Sequence, residues 1–223
     1  MPDNDDVARL LDRGWRETAA ANEAYARGAL DDAGWHAAMA AHLVPAYLAA
    51  DTPQGGSGHS GTADDWDYSR GVVADAIDRA GTFLDVGCAN GLLMESVARW
   101  TSVEPYGLEI SAELAALART RYPQWAERIV VGNALGFRPE QRFDFVRTGL
   151  KYVPLPRRRE LVAWLLAHVV APGGRLIVGK YNEELDARRT EAELTGFAIV
   201  GRSERPHRRD PRICYRVLWI DSV

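Results

Sequence analysis

Between residues 82 and 180, short apolar runs alternate with amphipathic stretches, as expected of strands exchanged with helices. Runs at 82–86, 105–108, 129–131, 143–147 and 175–178 have the length and apolar density of buried strands. The gaps at 92–99, 112–122 and 157–170 carry apolar residues at helical spacing. That order predicts an α/β fold, a doubly wound and mostly parallel sheet with helices on both faces. Two further runs, 197–203 and 213–220, have only a polar Arg/Pro/His segment between them. With no helix to carry a crossover they should pair antiparallel, giving seven strands with an antiparallel last strand.

Upstream of residue 82 the period is helical. Val7, Leu10, Leu11, Gly14, Trp15 and Thr18 form one stripe behind a cluster of Asp and Asn suited to capping. A second helix is predicted from Asp31-Asp32, with Trp35, Met39 and Leu43 on one face and Pro45 bending or ending it. The Gly/Pro-rich segment 51–61 reads as a flexible connection. A third helix should open at Thr62, with Asp65 at capping-box spacing, and run towards Asp78. The expected organisation is a helical cap with a glycine-rich lid or linker over residues 1–61, followed by an α/β domain over 62–223.

Composition narrows the class. A chain of 223 residues that is 47% hydrophobic can bury the core of one domain with a small appendage. It is neither collagen-like, disordered nor a coiled coil. Two cysteines, Cys88 and Cys214, build neither a disulfide framework nor a zinc site by themselves, so no metal is expected and a reducing, cytoplasmic setting is the simplest. The longest apolar run, 161–171, is too short to cross a bilayer, and the acidic start lacks a signal peptide's basic region.

Charge is uneven along the chain. Residues 1–67 hold 12 acids against 4 arginines, while the remainder holds 19 acids against 23 basic residues. An acidic leading third points away from nucleic acid, although the arginines at 157–159 and 202–212 keep an RNA or acidic-protein partner in view.

The segment richest in chemistry is Phe83-Leu84-Asp85-Val86-Gly87-Cys88-Ala89-Asn90-Gly91-Leu92-Leu93. An apolar strand ends in an acid, a glycine turn follows and a helix begins, so backbone N–H groups could face a ligand at the carboxyl edge of the sheet. A dinucleotide fingerprint fits poorly, because it would place Ala89 and Leu92 on its second and third glycines. The segment resembles the first motif of class I S-adenosylmethionine-dependent methyltransferases, with Asp85, Gly87 and Gly91 matching and Ala89 in place of the middle glycine.

Four further segments follow in the order of that family. Tyr106-Gly107-Leu108-Glu109-Ile110 ends the second strand with an acid 24 residues after Asp85. A carboxylate there can accept from both ribose hydroxyls, with Ile110 on the adenine face. The resemblance implies an adenine contact from Gly132-Asn133-Ala134 and places the transferred methyl near Thr148, at the end of the fourth strand. Ala171-Pro172-Gly173-Gly174 is the turn before strand five. Together the segments imply S-adenosyl-L-methionine as cofactor, held by Asp85, Gly87, Cys88, Ala89, Gly91, Glu109, Ile110, Asn133, Ala134 and Thr148. Arg70 is expected to pair with its methionine carboxylate and Trp66 to wall it.

Methyl transfer from a sulfonium needs alignment and desolvation more than a catalytic base, and no triad is evident. No catalytic residue is assigned. The acceptor side is expected among Lys151, Tyr152, Tyr181, His42 and His59. Cys88 is expected to be a small turn residue rather than a nucleophile. The Asn-Pro-Pro-aromatic motif of nucleic-acid-base and glutamine methyltransferases is absent at 147–150, which favours a small-molecule acceptor. An RNA or protein methyltransferase and a non-catalytic cofactor-binding module are the competing classes.

Overall fold

The computed structural model describes residues 19–184, 189–210 and 212–223. The expected helical stripe at 7–18 lies outside the described residues. Seven strands form one sheet in the order β3-β2-β1-β4-β5-β7-β6. They are β1 (Gly81–Val86), β2 (Val103–Glu109), β3 (Ile129–Val131), β4 (Phe143–Thr148), β5 (Val170–Glu184), β6 (Ile199–Pro206) and β7 (Ile213–Asp221). The pairs β1–β2, β2–β3, β1–β4 and β4–β5 are parallel, whereas β7 runs antiparallel between β5 and β6.

The sequence predicts this topology because the central strands are apolar on both faces: Phe83, Leu84, Phe145, Val146, Leu176 and Ile177 are all essentially inaccessible. Two apolar layers cover them, one containing Leu161, Val162 and Leu165, the other Trp66, Val72, Val73 and Val97. The expected turn at 171–174 survives as a bulge inside a longer β5, since Phe143 pairs with Val170 but Phe145 with Arg175. Strand order reverses between β1 and β4, so their carboxyl ends bound a crevice, the usual place for a ligand on such a sheet.

The helices that position this crevice are α1 (Asp32–Leu48), α2 (Ala63–Arg70), α3 (Leu92–Trp100), α4 (Ala112–Arg121), α5 (Arg158–His168) and the short α6 (Arg189–Glu193). Asp31 caps α1 by accepting from the Gly34 N–H, and the helix runs three residues past Pro45. Thr62 and Asp65 form the expected capping box at α2, but α-helix stops at Arg70 and gives way to a tight 3-10 stretch, Gly71–Ala76.

Segment 51–61 departs from the flexible connection expected of its glycines. It folds against the crevice. A 3-10 turn at Gly55–Ser57 brings Ser57 Oγ to 2.5 Å from Asn90 Oδ1, and Asn90 Nδ2 donates to the Pro53 carbonyl at 2.8 Å. Gly56 is required by the approach, since a Cβ there would sit 2.6 Å from Asn90 Nδ2.

The uneven charge becomes an assembly device. Acids between residues 32 and 75 meet arginines further along the chain: Asp32 pairs with Arg157, Asp64 and Asp65 with Arg208, Asp67 with Arg99 and Asp75 with Arg205. Each exposed pair contributes little alone, but the set fixes where the N-terminal helices dock. Among the described residues, no helix is long and apolar enough to cross a membrane.

Candidate active site at the carboxyl ends of β1, β2 and β4

The glycine turn leaves β1 through Gly87 at φ +76°, Ala89 at +47° and Gly91 at +80°. Ala89 is thus an L-residue held in the left-handed region, a conformation costing about 1–2 kcal/mol. The expectation of N–H groups facing a ligand is overturned at five positions. Gly87 and Cys88 donate to the Leu108 carbonyl, Ala89 to Glu109, Gly91 to the Cys88 carbonyl and Leu92 to Asn90. A turn so spent is a rigid wall and not an anion cradle. Cys88 turns its thiol into a core with Met94, Ala115, Ala118 and Ile129, where burial pushes its pKa well up. Any contact it makes with a ligand is through backbone.

Glu109, at the end of β2, is 6% exposed. Its Oε2 accepts from the Ala89 N–H at 2.8 Å and its Oε1 from the Ser111 N–H at 3.0 Å. Burial raises its pKa while these backbone donors oppose the rise. A carboxylate has lone-pair capacity beyond these bonds. Beside it, Ile110 is 44% exposed at the edge of a cleft of about 460 Å³, walled by Ala37, Ala40 and Val44 of α1 and by Ser111 and Glu113. Asn133 is half-buried, and its side-chain oxygen already accepts from the Leu135 N–H at 3.0 Å, while Ala134 is buried in the core.

The other corner is built of charges. Asp85 is 1% exposed and lies 3.2 Å from Arg147 Nη1. Burial outweighs this guanidinium and pushes the carboxyl up to about 6. Arg147 donates its Nε–H to the Gly179 carbonyl at 2.5 Å and an Nη1–H to Tyr152 Oη at 2.8 Å. Arg70 comes from the end of α2 over the Trp66 ring at 4.7 Å, with its buried Nη1 lacking any hydrogen-bond partner. Desolvation, aided by Arg147, lowers its pKa to about 10. Tyr47, from the last turn of α1, stands within electrostatic range of Tyr152, Arg70 and Glu109.

Several expected residues sit elsewhere than the sequence suggests. Trp66 is a core residue rather than a wall, 2% exposed with its indole N–H donating to Ser96 Oγ at 2.9 Å. It supports Arg70 from below. Thr148 is fully buried with its hydroxyl on the Gly149 carbonyl, and strand alternation makes the preceding residue, Arg147, the one that reaches Asp85. His42 is on an exposed face of α1, His59 packs edge-on against Trp66, and the side chain of Tyr181 lies outside the described residues. The sequence missed Arg147, Asn90 and Tyr47. Only Asn90 left a signal, as a small polar residue inside the turn.

Comparison with known proteins agrees with this geometry. Residues 83–174 match the family model described as "Methyltransferase domain". Over that stretch the chain is similar to methyltransferase domains. A ubiquinone biosynthesis O-methyltransferase of Serratia proteamaculans (strain 568) is 30% identical over 159 residues, 64% of this chain and 61% of that protein. The chain therefore spans less than two thirds of that curated relative. The N-methyltransferase NodS from Bradyrhizobium japonicum WM9, solved with S-adenosyl-L-homocysteine, superposes with a TM-score of 0.61 at 18% identity, covering 81% of this chain and 96% of that one. The [4+2]-cyclase SpnF superposes at 0.53 with 20% identity, covering 70% of this chain and 80% of its own. At these identities the two solved structures bear on the fold alone.

Proposed function

We propose that the protein is an S-adenosyl-L-methionine-dependent methyltransferase acting on a small molecule. The observation that carries this reading is Glu109, a buried carboxylate locked by two backbone N–H groups at the end of β2 with lone pairs left for a vicinal diol. The donor supplies an electrophilic methyl on a positively charged sulfur. Glu109 holds the ribose hydroxyls, and Ile110, Asn133 and Ala134 border the adenine in the cleft against α1. Gly87, Ala89 and Gly91 form the wall against which the donor lies. Arg70, with its unpartnered Nη1, pairs with the donor carboxylate, and Asp85 faces the ammonium.

The protein's work is then alignment and exclusion of water, so that acceptor, methyl and sulfur come into line. Residues 1–61 serve as the cap and 62–223 as the catalytic body, with segment 51–61 closing the crevice through Asn90. A small acceptor suits this arrangement, because Arg157, Arg158, Arg202, Arg205, Arg208 and Arg212 are paired with acids of the same chain and do not form a free basic face. The O-methyltransferase relative and the N-methyltransferase neighbour support transfer to oxygen or nitrogen. A second reading, a domain that binds the cofactor but does other chemistry, has the cyclase of the same fold in its favour.

Calorimetric titration with S-adenosyl-L-methionine and, separately, with NADH tests the assignment. Saturable binding of the first and none of the second is expected. No binding of S-adenosyl-L-methionine by folded protein overturns it.

A further inference from the structure

We propose that Tyr152 is a gate: its ring stands where the methionine end of the donor must lie, and the donor binds only when the ring has swung away. This rests on the donor placement proposed above and adds how access to that site is regulated.

On that placement the donor lies against Gly87, with its ammonium at Asp85 and its carboxylate at Arg70. The structure fills this corner with protein. Asp85 is 1% exposed, and Arg70 Nη1 is buried. A ligand reaches such groups only after something has moved. The Tyr152 ring covers the turn, since a Cβ on Gly87 would lie 2.7 Å from its Cε2, and so it rests on the face of Gly87 where a side chain would stand. Its hydroxyl extends to the Asp85 corner, because Arg147 Nη1 donates both to Tyr152 Oη at 2.8 Å and to Asp85 Oδ1 at 3.2 Å. An aromatic ring and the amino-acid end of a donor cannot share one volume.

The seat is built for the ring. A Cβ on Gly149 would lie 2.9 Å from it, although Gly149 has φ −98°, a conformation open to any residue. Glycine at 149 therefore answers to the ring and not to the backbone. The main chain beneath the ring is tied to the cap, with the Tyr152 carbonyl 3.1 Å from His36 Nε2 of α1 and the Leu155 N–H donating to Asn22 Oδ1 at 3.1 Å. Rotation of the side chain is then the shorter way out. Tyr152 is half-buried, which leaves part of its surface towards solvent.

Two contacts hold the gate shut, packing on the two glycines and the hydrogen bond from Arg147. Opening passes the phenol to water, while Arg147 keeps Asp85 and the Gly179 carbonyl. The donor's apparent affinity is lowered by the fraction of molecules in which the ring is away. A ligand without the amino-acid end has no quarrel with the ring.

The test follows the ring and the binding rate together. Full-length protein labelled with 3-fluorotyrosine reports Tyr152 as the fluorine resonance that disappears in Tyr152→Phe. This resonance should move on saturation with S-adenosyl-L-methionine and stay in place with 5′-methylthioadenosine. Tyr152→Phe keeps the ring but loses the hydrogen bond to Arg147, so the donor should associate roughly tenfold faster by stopped flow, the scale of one hydrogen bond to a charged group. Tyr152→Ala should be at least as fast, and association of 5′-methylthioadenosine should be the same in all three proteins. An unmoved resonance, equal or slower donor association in the folded variants, or the same gain for 5′-methylthioadenosine overturns the gate. Calorimetry separates the two failures. No binding of S-adenosyl-L-methionine to the parent and to both folded variants rejects the donor placement and the gate with it, whereas binding at one unchanged rate rejects only the gate.

Discussion

Two buried carboxylates, at the ends of β1 and β2, are stabilised in different ways. Glu109 is satisfied locally, by N–H groups of Ala89 and Ser111, one from the turn it faces and one from two residues downstream. Asp85 depends on Arg147, 62 residues away in sequence, and shares its corner with a guanidinium whose Nη1 has no partner. The first corner is a finished hydrogen-bond site that needs only a diol. The second is an unfinished balance of charge, raised in energy by burial and open to completion by a zwitterionic ligand. On the donor placement proposed above, preformed geometry and stored electrostatic demand serve different ends of one ligand.

The largest effect should come from breaking the finished corner. Glu109→Ala removes the proposed ribose acceptors and the partner of the Ala89 and Ser111 N–H groups, so donor affinity should fall by about 1.5–3 kcal/mol, with a loss of thermal stability from the two freed N–H groups. Calorimetry together with a melting curve checks both. A folded variant with unchanged affinity would mean that the donor does not lie along β2.

Removing a group from the unfinished corner should separate binding from stability. Arg70→Met deletes a buried, unpartnered Nη1, so the fold should stay within about 1 kcal/mol of the parent while donor affinity drops by about 1.5 kcal/mol or more. Affinity for 5′-methylthioadenosine, which lacks the amino-acid end, should not change. Equal losses for both ligands would place Arg70 outside the carboxylate subsite.

The most specific effect concerns pH. The folded protein holds the Asp85 proton more tightly than the unfolded chain, because burial raises this group from 3.8 to about 6. Its contribution to stability is thus greatest below the unfolded value and is lost as pH rises through about 6. The stability difference between parent and Asp85→Asn should fall from pH 4 to 6 and level off above, as read from denaturant midpoints. A difference that is flat or rises with pH would show that Arg147 outweighs burial.

Much of the fold was legible because its signals are local. The predicted strands 82–86 and 129–131 match β1 and β3 to within a residue, since each is an apolar run between turn residues. Segment 51–61 misled because glycine reads as freedom in sequence, whereas Gly56 serves close approach to Asn90. Trp66 misled for a related reason. An indole can wall a ligand or fill a core, and only Ser96 on the facing helix decides between them.

By itself, the sequence determined the strand and helix order, the glycine turn and the acid ending each of the first two strands. These depend on residues within a few positions of one another, where steric and hydrogen-bond preferences act directly. The tertiary structure alone decided that Arg147 and not Thr148 meets Asp85, that Arg70 lies buried without a hydrogen bond at Nη1, and that Tyr152 covers Gly87. Those facts rest on strand register and on burial shared between distant segments. Electrostatic energy depends on that shared environment, which no local spacing encodes.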